Sequence, residues 1–257
     1  MTLSPHISRE FGSSIWRMEI DNKNDILFAE IRDEEQKQVS FSAIDLNTGT
    51  IYFESLTTPE RWLTGIECAY DGVLLLHYYQ SENGPAHKGL LAIDAFTGNT
   101  LWTNFAYGFD HLTASGPVVY DGRIQPRKLF LADIKTGAAT RVYEPFIYNE
   151  PENNILVPAQ VPEESLPYGL LKQHPYANWV HYLEYNNFRI VSLHALKGGQ
   201  LVQMLNIAIQ NSPGGFDEVY EDLLNAAIQK IQPEAFILYK NCLIYIKNKA
   251  LLKVLSL

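Results

Sequence analysis

Apolar and polar residues alternate through short runs that enter and leave one recurring turn, the period-two signature of strands with one buried face. The turn appears as Ala43-Ile44-Asp45-Leu46-Asn47-Thr48-Gly49, with Phe53 beyond it. It returns as Ala92-Ile93-Asp94-Ala95-Phe96-Thr97-Gly98, with Trp102 beyond, and as Leu131-Ala132-Asp133-Ile134-Lys135-Thr136-Gly137. A weaker copy is Ser192-Leu193-His194-Ala195-Leu196-Lys197-Gly198, followed by Val202. A repeat of this kind predicts an all-β chain of stacked hairpin units.

Each copy reads as a β-hairpin. The Asp carboxylate can accept hydrogen bonds from amides two or three residues on, closing an Asx-type turn, and the Thr hydroxyl can add another. The glycine takes φ > 0 at the end of the turn. The aromatic four residues after it falls on the outgoing strand, where it can pack on a neighbouring unit.

These residues resemble the A-x-D-x-x-T-G-x-x-x-W repeat of quinoprotein-like β-propellers. Ala92, Asp94, Thr97, Gly98 and Trp102 match it in full. The first copy has Phe53 in the Trp position and the third has Arg141. The resemblance implies a propeller in which Asp45, Gly49, Asp94, Gly98, Trp102, Asp133 and Gly137 hold blades together without performing chemistry. The chain also looks like the uncharacterised domain-of-unknown-function families of propeller-like bacterial proteins.

The motif glycines stand 49, 39 and 61 residues apart, and a four-stranded blade takes roughly 40–50 residues. Five blades are expected, or six if residues 146–170 form their own unit. Phe11-Gly12-Ser13-Ser14-Ile15-Trp16 has the spacing of Thr97 to Trp102, so Trp16 is assigned to an outgoing strand that pairs with C-terminal strands near 236–239, 242–246 and 251–255 and closes the ring. Six of the 13 prolines fall in 145–178, which marks that segment as mostly loop. Tyr220, Leu223, Leu224, Ala227, Ile228 and Ile231 recur at helical spacing, with Pro233 beyond, which predicts one inserted helix over 216–231.

The totals refine this picture. Apolar residues make up 46% and charged residues 19% of the 257, the proportions of a globular protein, and one domain spanning 1–257 is expected. A net charge of −9 with scattered Lys and Arg opposes nucleic-acid and anionic-membrane binding. Cys68 and Cys242 lie in apolar strand patterns and read as two buried thiols. The N-terminal residues lack the basic and apolar regions of a signal peptide, so the chain reads as cytoplasmic.

Quinoprotein dehydrogenases use a larger ring and adjacent cysteines, so the resemblance implies the fold and not quinone binding. The sequence has no GxSxG, P-loop, GxGxxG, HxH or HExxH, and no cofactor or metal is expected. His77 and the other histidines read as packed or surface residues. Glu67, Asp110, His111 and Glu184 are the candidates for a central channel, where paired carboxylates would serve a hydrolase or lyase. The leading expectation is instead a non-catalytic module that binds a protein or small ligand through Phe146, Tyr148, Tyr168, Tyr176 and Trp179, since aromatics are enriched at binding hot spots.

Overall fold

The computed structural model describes every residue except Met1, Asn83, Glu144, Pro213 and Glu234. The chain is all-β, with five separate antiparallel sheets. It divides into two compact units, Ser13–Asn153 and Met1–Gly12 with Asn154–Leu257.

The unit Ser13–Asn153 holds three four-stranded meanders. The first runs through Ser14–Asp21, Ile26–Asp33, Gln38–Asp45 and Ile51–Leu56. The second runs through Thr64–Tyr70, Val73–Ser81, Gly84–Asp94 and Thr100–Asn104. The third comprises Tyr107–Thr113, Gly116–Asp121, Leu129–Ala132 and Ala139–Arg141. Strand alternation assigns the two faces of the second sheet: Leu74 and Leu76 pack with Phe28 and Phe41 of the first, while Leu75 packs with Val119 and Ala132 of the third.

The repeated turn joins the third and fourth strands of each meander. Asp45 Oδ1 accepts from the amides of Asn47 and Thr48 at 2.9 and 2.8 Å. Asp94 and Asp133 do the same for Phe96 and Thr97 and for Lys135 and Thr136. The last two carboxylates also accept from the Thr hydroxyls. Gly49, Gly98 and Gly137 close the turns at φ 73°, 73° and 71°.

Aromatics from one sheet cover the glycines of the next. A Cβ on Gly98 would lie 3.4 Å from the Phe53 ring, and one on Gly137 would lie 2.7 Å from the Trp102 indole. Trp102 Nε1 donates to the Ile134 carbonyl at 2.8 Å, which fixes the indole over that turn. Gly137→Ala is therefore expected to lower stability by about 1–3 kcal/mol, through overpacking added to backbone strain. A Cβ on Gly198, at φ 59°, would meet nothing within 4 Å, so Gly198→Ala carries the strain alone. Urea unfolding of the two variants tests this, and equal losses would show that the indole contact is not felt.

One irregularity recurs in all three sheets. The first strand of each carries one extra residue: Trp16 between the pairs Ile15↔Ile31 and Arg17↔Glu30, Glu67 between Ile66↔Leu76 and Cys68↔Leu75, and Asp110 between Phe109↔Val119 and His111↔Val118. Such bulges re-aim a side chain and are common beside functional sites.

The unit Met1–Gly12 with Asn154–Leu257 holds two five-stranded sheets. One is ordered Ile7–Glu10, Leu251–Ser256, Cys242–Lys247, Ile237–Tyr239, Ile155–Leu156. The other is ordered Ala159–Pro162, Trp179–Tyr185, Phe188–Lys197, Gln200–Ser212, Gly215–Ile228. Ile190, Leu205, Val219, Leu238, Leu243 and Leu255 belong to one buried cluster here.

Two sequence expectations are corrected. Residues 216–231 form no helix: Gly215–Ile228 is an edge strand paired with Gln200–Ser212. Four register shifts along that pair break strict alternation, so its apolar residues lose the period of two, and Leu224 is buried while Leu223 is 36% exposed. Trp16 is not on a strand paired with the C-terminal strands. Ser14–Asp21 opens the first meander, and it is Ile7–Glu10 that pairs with Leu251–Ser256. The weak fourth copy is a tight hairpin in which Lys197 and Gln200 pair across Gly198 and Gly199, both at positive φ. His194 there accepts from the Gln232 amide at 3.0 Å instead of capping the turn. Cys68 and Cys242 are both buried thiols. No helix among the described residues is long and apolar enough to cross a membrane.

Candidate functional site

The five aromatics singled out in the sequence fall on both units. On one, Tyr148 packs against His111 at 4.4 Å and against Phe146 at 5.7 Å. On the other, Tyr168, Tyr176 and Trp179 are 95%, 46% and 47% exposed. Prolines explain this second group: Pro162, Pro167 and Pro175 lack the amide a ladder needs, so the segment between the strands at 159–162 and 179–185 lies in 3-10 turns and bends.

The four channel candidates each have their own partner. Asp110 accepts from Arg127 and lies 2.7 Å from His111 Nδ1. Glu184 accepts from the Tyr182 hydroxyl and faces Arg189 Nε at 3.5 Å. Glu67 keeps different company. Its Oε2 lies 3.1 Å from His77 Nδ1 and 3.0 Å from His87 Nδ1. The two imidazoles stack 3.5 Å apart with planes 7° from parallel. Tyr79 sets its ring edge-on to both, at 4.6 and 5.1 Å.

This triad is assembled by bulges. Glu67 is the extra residue of its strand. A register shift between Ser81 and Tyr79 sets His87 opposite Tyr79 and so on the face of His77, and a second, at Gly89, φ 67°, places Leu90 opposite His77. His77 is fully buried and His87 is 35% exposed. Burial holds the His77 imidazole below its usual pKa. Burial also pushes the Glu67 carboxyl up, but polar contact with the two histidines and their charge outweigh that and keep it below the usual carboxylate range. Arg17, one residue past the first bulge, donates to the carbonyls of Ile66 and Glu67 and so fixes the backbone that carries the acid.

Tyr79 also lines a cleft of about 240 Å³ with Trp16, Arg32, Glu34, Trp62 and Glu82. The Arg32 guanidinium sits 5.0 Å from the Trp62 ring and 5.8 Å from those of Trp16 and Tyr79, within cation–π range. It is anchored from below by Glu30 at 2.6 Å and donates to the Thr64 carbonyl at 2.8 Å. A deeply held cation, three indole or phenol rings and a buried two-histidine carboxylate cluster thus share one region of a single unit.

Sequence reasoning named Glu67 but not His77, His87, Glu30 or Arg32 as its neighbours. The available signal was the hairpin itself, since both histidines flank one tight turn. A regular register from the Ser81↔Gly84 pair would set His77 and His87 on opposite faces, so the signal was hidden by the bulge.

Among solved structures, the crystal structure of BamB from Moraxella catarrhalis is similar over 100% of this chain and 98% of that chain, with 9% identity and a TM-score of 0.36. No curated protein matches the sequence. Residues 20–102, the stretch that carries Glu30, Arg32, Glu67, His77 and His87, match the family described as a domain of unknown function (DUF4905).

Proposed function

We propose that this chain is a non-catalytic β-propeller module of one domain, acting in the cytoplasm and binding a protein or small ligand through its exposed aromatics. In this reading each of the five sheets is a blade, and the pairing of Ile7–Glu10 with Leu251–Ser256 closes the ring. Three meanders that share one turn and one bulge, with two aromatic-on-glycine contacts between them, support the propeller. The observation that carries the binding role is the group Tyr168, Tyr176 and Trp179, large rings left open on a proline-rich segment. The double variant Tyr168→Ala/Trp179→Ala is expected to weaken partner capture by tenfold or more, since each buried hot-spot ring is worth about 1–2 kcal/mol. Affinity capture with tagged protein, quantified against wild type, tests it; undiminished capture by the folded variant removes these residues from the interface.

A second reading, a hydrolase or lyase, is favoured by one observation, the convergence of Glu67, His77 and His87. Turnover lost in Glu67→Gln and kept in Tyr168→Ala/Trp179→Ala would select it.

A further inference from the structure

We propose that Glu67, His77 and His87 bind a divalent transition-metal ion of the zinc class, a site independent of the aromatic surface. Imidazole nitrogens and a carboxylate oxygen form a donor set that zinc accepts, and three protein ligands with one open position is a recurrent zinc arrangement. The three donor atoms already lie within 4.8 Å of one another. Adjacent ligands on a tetrahedral zinc with bonds of about 2.0–2.1 Å stand roughly 3.3 Å apart. The Glu67 oxygen is 3.1 and 3.0 Å from the two Nδ1 atoms, close to that spacing, and on binding the parallel imidazoles must tilt out of their stack to aim both lone pairs at one ion.

Two further features point to a ligand. His77 is fully buried, yet neither ring nitrogen has a hydrogen-bond partner. Its Nδ1 is near Glu67 but off the line an N–H···O bond needs. A buried imidazole left in this state has lost its water contacts without gaining others, and a metal bond to Nδ1 supplies the missing partner. Gly65 lies opposite His77, where a Cβ would come within 3.0 Å of His77 Nε2 and 3.2 Å of the Tyr79 hydroxyl. Any larger residue would push the imidazole out of place. The half-exposed His87 marks the side from which an ion and a fourth, water ligand would reach the site. This is the opposite of what histidine spacing in the sequence predicts.

Protein stripped with a chelator and dialysed should take up one equivalent of Zn²⁺ by calorimetric titration. With Co²⁺ as the probe it should develop the intense visible d–d bands of a tetrahedral ion. His87→Ala, at the half-exposed ligand, should weaken Zn²⁺ binding by about 100-fold or more and abolish the bands, and Glu67→Gln should weaken binding by at least about tenfold. His6→Ala, an exposed histidine of the other unit, should bind as wild type does. Far-UV dichroism confirms that each variant is folded. Should the ligand variants fail to fold, the wild-type stoichiometry and cobalt spectrum decide alone. Wild-type protein that takes up well under one equivalent or shows only octahedral cobalt overturns the proposal, and so does a folded His87→Ala that retains wild-type affinity.

Discussion

Arg32→Ala is expected to destabilise the protein by about 3–5 kcal/mol, the usual consequence of removing one partner from a buried ion pair. The side chains of Arg32 and Glu30 are 9% and 2% exposed and meet at 2.6 Å. Glu30 Oε2 also accepts from the Ile66 amide at 2.9 Å, so the acid cannot swing out to water without breaking a bond to the neighbouring sheet. Arg32 in turn donates to the carbonyls of Trp62 and Thr64 at 3.3 and 2.8 Å. Removing the guanidinium leaves a buried carboxylate without its counter-charge and two carbonyls without this donor. Arg32→Lys should recover only part of the loss, because one ammonium cannot span the planar set of three acceptors. The double variant Glu30→Leu/Arg32→Leu should be more stable than Arg32→Ala, since no charge is then stranded. Urea unfolding measures all three. A loss below about 1 kcal/mol for Arg32→Ala would mean that water reaches Glu30 in solution.

The second large effect lies on the other unit and depends on pH. Asp222 accepts from Lys247 and Lys253, each at 2.6 Å, and from the Tyr245 hydroxyl at 2.7 Å. Burial raises the carboxyl pKa, but those three hydrogen bonds outweigh it and hold the group at about 2. A folded-state pKa below the unfolded one adds stability that is fully present above about pH 4 and is lost as pH falls through about 2. The shift is worth roughly 2 kcal/mol. Asp222→Ala should therefore lower stability near pH 7 by about 3 kcal/mol, since it also strands Lys247 and Lys253 on the paired strands Cys242–Lys247 and Leu251–Ser256. The gap between wild type and variant should narrow steadily from pH 4 to pH 2. A gap that stays constant over that window would show that Asp222 is not the titrating group.

Local chemistry was legible in the residues alone. The Asp–Thr–Gly turns follow from short-range bonds among neighbours, so Asp45, Asp94 and Asp133 could be placed in their roles without a fold. The burial of Cys68 and Cys242 and the short C-terminal strands were readable from apolar patterning, and the loop character of the proline-rich segment from its prolines. Glu67 stood out as an acid on the strand after Trp62 and Asp110 as an acid beside His111, and both prove to be bulge residues.

What the sequence could not carry is register. A strand's side chains alternate with period two, so one extra residue sends everything beyond it to the other face. Such shifts, each on its own strand pair, bring His87 onto the face of His77, set Glu67 against both, and break the alternation of Gly215–Ile228. Bulges arise from how a strand meets its partner, and nothing in the spacing of one strand announces them. The sequence by itself therefore determined the repeated turns and most of the strands; pairing between strands decided which side chains meet, and with them the histidine–carboxylate cluster and the buried Glu30–Arg32 pair.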